Sequence, residues 1–210
     1  MFLSEIITLE TNRLILKTPQ LADIEAMMII LNDIETMQSL RYMTIQGNEW
    51  TIEKTRERIE NQIHRQLNDE GLFFHIYDKN TNQLMGVVAL PQLDFKDKTG
   101  TSGIILYRSH WRKGFATEAL LATLQYCFET LNLKLIRFYV MSSNKGMRSL
   151  FDKFGLNSES AELHKAEKHD NSTTGEIVYC LTDKTWPTIK KNFLMALDNP
   201  NTFDAKQLRF

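Results

Sequence analysis

Apolar positions along the 210-residue chain alternate between short runs with strand-like spacing and longer stretches at helical period. Residues 13–17 (RLILK) predict a strand closed by Thr18-Pro19, and QLADIEAMMIILND then sets Leu21, Ile24, Met27, Met28 and Leu31 on one helical face. TIEKTRERIENQIHRQLND repeats that period with Ile52, Ile59, Ile63 and Leu67, leaving its charge run as a solvated face and ending near Gly71. LFFHIYD, the polar turn KNTN and QLMGVVAL predict a hairpin. After Pro91 and a charged loop, SGIILYR adds a third strand of an antiparallel meander. GFATEALLATLQYCFETL predicts the longest helix, with Ala116, Leu120, Leu124, Cys127, Phe128 and Leu131 as its stripe. KLIRFYVM is a strand, GMRSLFDKFG a helix closed by Gly155, and AELHKAEK with GEIVYCLT a last strand pair around HDNSTTG. The order β-α-α-β-β-β-α-β-α-β-β predicts an α/β (α+β) fold, a mixed and mostly antiparallel sheet flanked by helices. The end of the chain, from about Asp198, reads as weakly structured.

Composition narrows the class. Dividing 210 residues by about 150 per domain gives about 1.4, so one large domain or one domain with extensions is expected. Lys+Arg 25 against Asp+Glu 26 leaves no broad basic field, which disfavours nucleic-acid binding. The two cysteines, Cys127 and Cys180, lie in apolar runs and read as buried free thiols. The N-terminus lacks a basic n-region and no window nears about 18 apolar residues, so no membrane association and a cytoplasmic location are expected.

Chemistry concentrates in SGIILYRSHWRKGFATEAL, a strand, a polar turn and a helix. A helix N-terminus exposes unpaired N–H groups and the positive end of its dipole. Gly114 and Ala116 keep bulk away from that backbone, and Arg112 and Lys113 add cationic donors. Gly114 could equally serve only a tight turn. Neither a dinucleotide fingerprint nor a nucleotide-triphosphate loop is present.

The segment HWRKGFATEAL resembles the pyrophosphate turn of the GNAT acyltransferase superfamily, Gln/Arg-x-x-Gly-x-Gly/Ala, and especially its ribosomal-protein N-terminal acetyltransferase branch, where Trp commonly takes the first position. Trp111, Gly114 and Ala116 fill the pattern, followed by Thr117-Glu118-Ala119. LETNRLILKTPQLADIEAM is similar to the branch's opening, and NKGMRSLFDKFGL to its later helix, through Asn144, Lys153, Gly155 and Leu156. The resemblance spans about residues 8–186 as one acetyltransferase domain and leaves 187–210 as a helical or irregular tail.

The resemblance implies acetyl-CoA as co-substrate, with strands splayed to admit it and a primary amine, on a peptide N-terminus or a small molecule, as acceptor. Pantetheine would lie along Ile104, Leu106 and Tyr107, with a strand N–H near Tyr107 polarising the thioester carbonyl. The pyrophosphate would meet Arg112, Lys113, Gly114, Phe115, Ala116 and Thr117, and Asn144 would hydrogen-bond the pantetheine arm. A monomer or homodimer is expected. The strand position where relatives often carry Glu is Thr101-Ser102 here, and the helix positions where they carry Ser or Tyr are Met147 and Phe151. No base or acid is therefore assigned. Tyr107, Ser149 and His75 are weak candidates, and a non-catalytic acyl-CoA-binding module is the alternative.

Other polar residues have plainer readings. His75 alternates with Phe74 and Ile76 and reads as a satisfied sheet histidine or a cleft residue. His110 either shapes the turn or faces solvent. His164 and His169 lack metal-ligand spacing, so no metal is expected. Glu118 suits the helix dipole where it stands. Trp50, Arg41 and Tyr42 are ambiguous between substrate loop and packing.

Overall fold

Strands in the computed structural model hydrogen-bond in chain order: β1 (Thr8–Glu10), β2 (Leu14–Lys17), β3 (Leu72–Asp78), β4 (Leu84–Asp94), β5 (Thr99–Leu106), β6 (Leu135–Met141) and β7 (Glu176–Thr182). The structure describes residues 6–38, 40, 49–156 and 175–198. Expected features at 41–42, 161–168 and His169 therefore lie outside the described residues. All neighbouring strands are antiparallel except β5 and β6. That parallel pair needs a crossover, which α4 (Phe115–Gln125) and a following π-helical turn at Tyr126–Thr130 supply.

Two cores fill the two faces. One gathers Leu14, Phe74, Val88 and Leu106 under α4, α5 (Lys145–Phe154) and α6 (Trp186–Asp198). The other sets Tyr77, Val87 and Ile105 under α1 (Ile24–Asn32) and α3 (Ile52–Leu67), while α2 (Ile34–Met37) adds one turn beside α1. Within the expected tail, α6 buries Ile189, Phe193 and Ala196, with Phe193 stacked 4.0 Å from Phe154. Among the described residues no helix is long and apolar enough to cross a membrane.

Several sequence expectations are corrected. Leu21 begins a 3-10 turn, Leu21–Asp23, and is exposed, so Ile30 joins Met27 inside instead. In α3 Ile52 and Leu67 are exposed, and the buried face runs through Thr55, Ile59, Gln62 and Gln66. Polar Gln66 belongs there because its side-chain oxygen accepts the Phe73 amide at 3.0 Å. Strand β4 does not stop at Pro91. Its register to β5 jumps from Ala89↔Gly103 to Gln92↔Thr101, so Leu90 and Pro91 together face Ser102 in a bulge. A bulge also suits Pro91, which has no N–H to give a ladder.

Candidate functional site

The bulge sits where the sheet opens. Strands β5 and β6 pair at Thr99↔Leu135, Gly100↔Ile136 and Thr101↔Arg137, then separate although β5 continues to Leu106 and β6 to Met141. Beyond Thr101 the facing edges are a wedge-shaped gap. The Tyr107 amide donates to Met85 O at 2.8 Å, on the β4 side. Strand alternation then turns the Ile104 and Leu106 amides toward the gap. The strand N–H groups near Tyr107 that face the gap are thus those of Ile104 and Leu106.

At the mouth of the gap the chain makes a strained turn into α4. Arg112 has φ 59° and Gly114 φ 79°, both left-handed. Glycine tolerates this at the N-cap, and a Cβ there would stand 3.2 Å from Nη2 of Arg13. The helix ladder starts only at Glu118, whose amide donates to Gly114 O, so the amides of Phe115, Ala116 and Thr117 have no intrahelical acceptor. Trp111 Nε1 donates to Leu106 O at 2.6 Å, tying the turn to the strand end. Lys113 Nζ folds back onto Ser109 O, while Arg112 is exposed.

Two braces hold this turn. Glu118, 5% exposed, accepts Arg13 Nε at 2.7 Å, the Arg13 amide at 2.8 Å and the Thr11 hydroxyl at 2.6 Å. Arg13 also donates to Lys113 O at 2.9 Å and lies 4.4 Å over the Phe115 ring. On the other flank Arg108 pairs with Asp33 at 2.9 Å and Glu35 at 2.7 Å, and its amide donates to Thr36 Oγ1. The arrangement suits an anionic group on the α4 amides with an extended chain along the β5 edge.

The remaining candidates fall in different places. Asn144 caps α5, its Oδ1 accepting the Met147 amide at 3.1 Å, which leaves Nδ2 as its outward donor. Met147 is half-buried, and Phe151 is sealed between Phe138 and Tyr179 at 4.8 and 5.0 Å. Ser149 is exposed on α5. His75 is fully buried and does not face an open cleft: Nδ1 lies 2.7 Å from Asp23 Oδ2, an oxygen that also accepts the Tyr77 hydroxyl at 2.5 Å. Burial pushes the Asp23 carboxyl up, but hydrogen bonds from His75 and Tyr77 outweigh it and leave the group below its usual value. His110 is half-buried between Tyr107 and Phe115, and burial with the Lys113 charge lowers its pKa. Cys127 is a buried free thiol whose pKa burial raises. Among the described residues no group of three His, Cys, Asp or Glu could hold a metal.

On the α3 face of the sheet a cavity of about 570 Å³ opens at the apex of the gap, lined by Arg65, Glu70, Asp94, Thr101, Arg137 and Tyr139. Gly103 next to it is exposed, and a Cβ there would meet nothing within 4 Å. Ser102, 6% exposed, has its hydroxyl buried at the apex with no hydrogen-bond partner among the described residues.

A family model described as "Acetyltransferase (GNAT) domain" matches residues 13–157, more than half of the chain. The chain belongs to the GNAT acetyltransferase family. Similar curated proteins include "Uncharacterized N-acetyltransferase YoaA" of Bacillus subtilis (strain 168), 28% identical over 72% of this chain and 83% of that protein. A second, "Uncharacterized N-acetyltransferase p20" of Bacillus licheniformis, is 29% identical with the same coverage. Among solved structures, Microcin C7 self immunity acetyltransferase MccE in complex with acetyl-CoA and AMP shares the fold at TM-score 0.70 and 22% identity, covering 82% of this chain and 93% of that one. RimL, a ribosomal L7/L12 alpha-N-protein acetyltransferase, does so at TM-score 0.70 and 15% identity over 84% and 94%.

In this GNAT chain neither Arg13 as a partner of the turn nor Glu118 as more than a complement to the helix dipole is legible in the local sequence. Their contact joins residues 105 apart, and the usable signal was the coexistence of the opening motif and Thr117-Glu118-Ala119. The charge run of α3 is not wholly the solvated face expected, since Arg58 keeps its Nε buried.

Proposed function

We propose that the protein transfers an acetyl group from acetyl-CoA to a primary amine. The parting of β5 from β6 beyond Thr101 carries this reading, because it leaves two strand amides facing a gap that ends at a helix N-terminus. Acetyl-CoA, when bound, supplies a thioester activated toward amines. The amides of Ile104 and Leu106 are the donors for its pantetheine and carbonyl, with Tyr107 ending that edge. Arg112, Lys113, Gly114, Phe115, Ala116 and Thr117 would hold the pyrophosphate, and Asn144 would reach the arm through Nδ2. The complex of MccE with acetyl-CoA supports the choice of donor.

The acceptor must arrive uncharged, from about pKa 10 for an alkylamine or about 8 for an α-amino group. Thr101 cannot take that proton, and Asp69, Glu70 and Asp94 are the carboxylates bordering the cavity. Neither Met147 nor Phe151 can donate to the leaving sulfur. A thiol near pKa 8.5 departs without such help, so proximity and strand amides bear most of the rate. A thiol-release assay over N-terminal peptides and small amines tests the reading. Amine-dependent CoA release is expected, and acetyl-CoA binding without turnover on any amine would instead favour a binding module.

A further inference from the structure

Arg58, Gln62, Arg65 and Asp69 recur at i, i+4, i+7 and i+11 and so form one stripe of α3 and its C-terminal turn. The lower half of the stripe, Arg65 and Asp69, lines the cavity at the apex of the β5–β6 gap. Arg65 also donates to Pro91 O, in the bulge opposite Ser102, which fixes it level with the apex. The upper half is different. Gln62 is 5% exposed with Oε1 unpartnered, and Arg58 has a buried Nε without an acceptor, both among the described residues. The guanidinium lies 5.6 Å from the Trp50 ring, and no carboxylate among the described residues pairs with it. Burial pulls its pKa down to about 10, the mark of a cation short of compensation.

A buried guanidinium Nε and a buried amide oxygen each cost free energy until a partner arrives. Both stand on the stripe of α3 whose lower half lines the cavity, so a partner entering there would run along the helix toward them. Seven residues separate Arg58 from Arg65, about 10 Å along a helix. An extended peptide covers that in about three residues. At the apex the lining mixes Asp69, Glu70 and Asp94 with Arg65 and Arg137, and its carboxylates suit an amine, while Arg58 at the far end suits an anion.

Resting on the acyl-transfer reading above, we infer that this stripe is the acceptor's specificity groove and selects a peptide whose N-terminal amine reaches the apex while an acidic side chain about three residues on pairs with Arg58, Gln62 accepting a main-chain N–H. A polyamine brings only donors and positive charge to Arg58 and is disfavoured there.

The test uses amidated tetrapeptides carrying Glu or Lys at position 2, 3 or 4, with spermidine as a cationic control. Two readouts apply: kcat/KM for acetyl transfer, and calorimetric peptide binding in the presence of CoA. Wild type should prefer Glu over Lys at position 3 or 4 at least tenfold, chiefly through KM. Arg58→Met, which keeps bulk under Trp50, should erase that preference, and Arg58→Lys should restore part of it. Gln62→Leu, which keeps the buried volume, should weaken all the peptides alike and answers if Arg58→Met fails to fold. Equal use of Glu and Lys peptides by wild type, better use of spermidine, or an unchanged Glu:Lys ratio in Arg58→Met would overturn the inference. If no amine is acetylated yet the Glu peptides bind and Arg58→Met releases them, the groove stands and acyl transfer falls.

Discussion

Arg13, immediately before the short second strand, and Glu118 in the first turn of α4 meet through a 2.7 Å hydrogen bond and a 2.6 Å ion-pair contact. The same carboxylate takes the Arg13 amide and the Thr11 hydroxyl, while Arg13 reaches on to the Lys113 carbonyl. One buried carboxylate thus fastens the edge of the sheet to the turn that presents free amides. Glu118→Gln keeps an acceptor but removes the charge. It should cost about 1.5–3 kcal/mol in urea unfolding, the range for hydrogen bonds to charged groups, and weaken acetyl-CoA binding as the turn loosens. Unchanged values of both would mean that the turn holds itself.

Acid stability should carry the mark of Asp23. Its carboxyl is held below the usual 3.8 because hydrogen bonds from His75 and Tyr77 overcome burial. A depressed carboxylate contributes stability that is fully present above 3.8 and is lost as pH falls through the lower folded-state value. Thermal melts from pH 6 to 2.5 should show that loss in wild type, and Asp23→Asn should flatten it at the expense of stability near neutrality.

Restoring the proton donors of relatives should have two different outcomes. Met147 is half-buried, so Met147→Ser should fold and raise kcat about fivefold, the effect of one net hydrogen bond of about 1 kcal/mol to the leaving sulfur. Phe151 is wedged between Phe138 and Tyr179. Phe151→Tyr should bury an extra hydroxyl, lose about 1–3 kcal/mol of stability and leave kcat little changed. Steady-state kinetics beside denaturant melts separates the two.

Helix α6 should prove integral to the fold. Phe193 is fully buried and stacks on Phe154. Phe193→Ala should cost about 3–5 kcal/mol in chemical unfolding.

Much of this was legible from hydrophobic pattern, because β3 and β4 are near-continuous apolar runs buried on both faces, β6 and α5 bury one side, and α5 carries its own stop signal in Gly155 at φ 77°. What was not legible depends on distant partners. Thr8–Glu10 is too short to show a pattern and becomes a strand only by pairing with β2. The buried face of α3 admits Gln66 because a β3 amide awaits it. In the site, Gly114 and Trp111 were readable as local turn chemistry, whereas Glu118 acquired its role from a residue 105 positions away. Pro91 looked like a strand end and is a bulge, since β5 continues to pair past it.

Calorimetric titration of acetyl-CoA into wild type and Gly114→Val measures whether the turn at Gly114, beside the β5–β6 gap, seats acetyl-CoA. With φ 79° and Arg13 Nη2 3.2 Å from the added Cβ, the variant must distort the turn. Wild type should bind one equivalent and the variant at least tenfold more weakly, about 1.4 kcal/mol, with its circular dichroism unchanged. Equal affinity in the two proteins would remove this turn from the acetyl-CoA site.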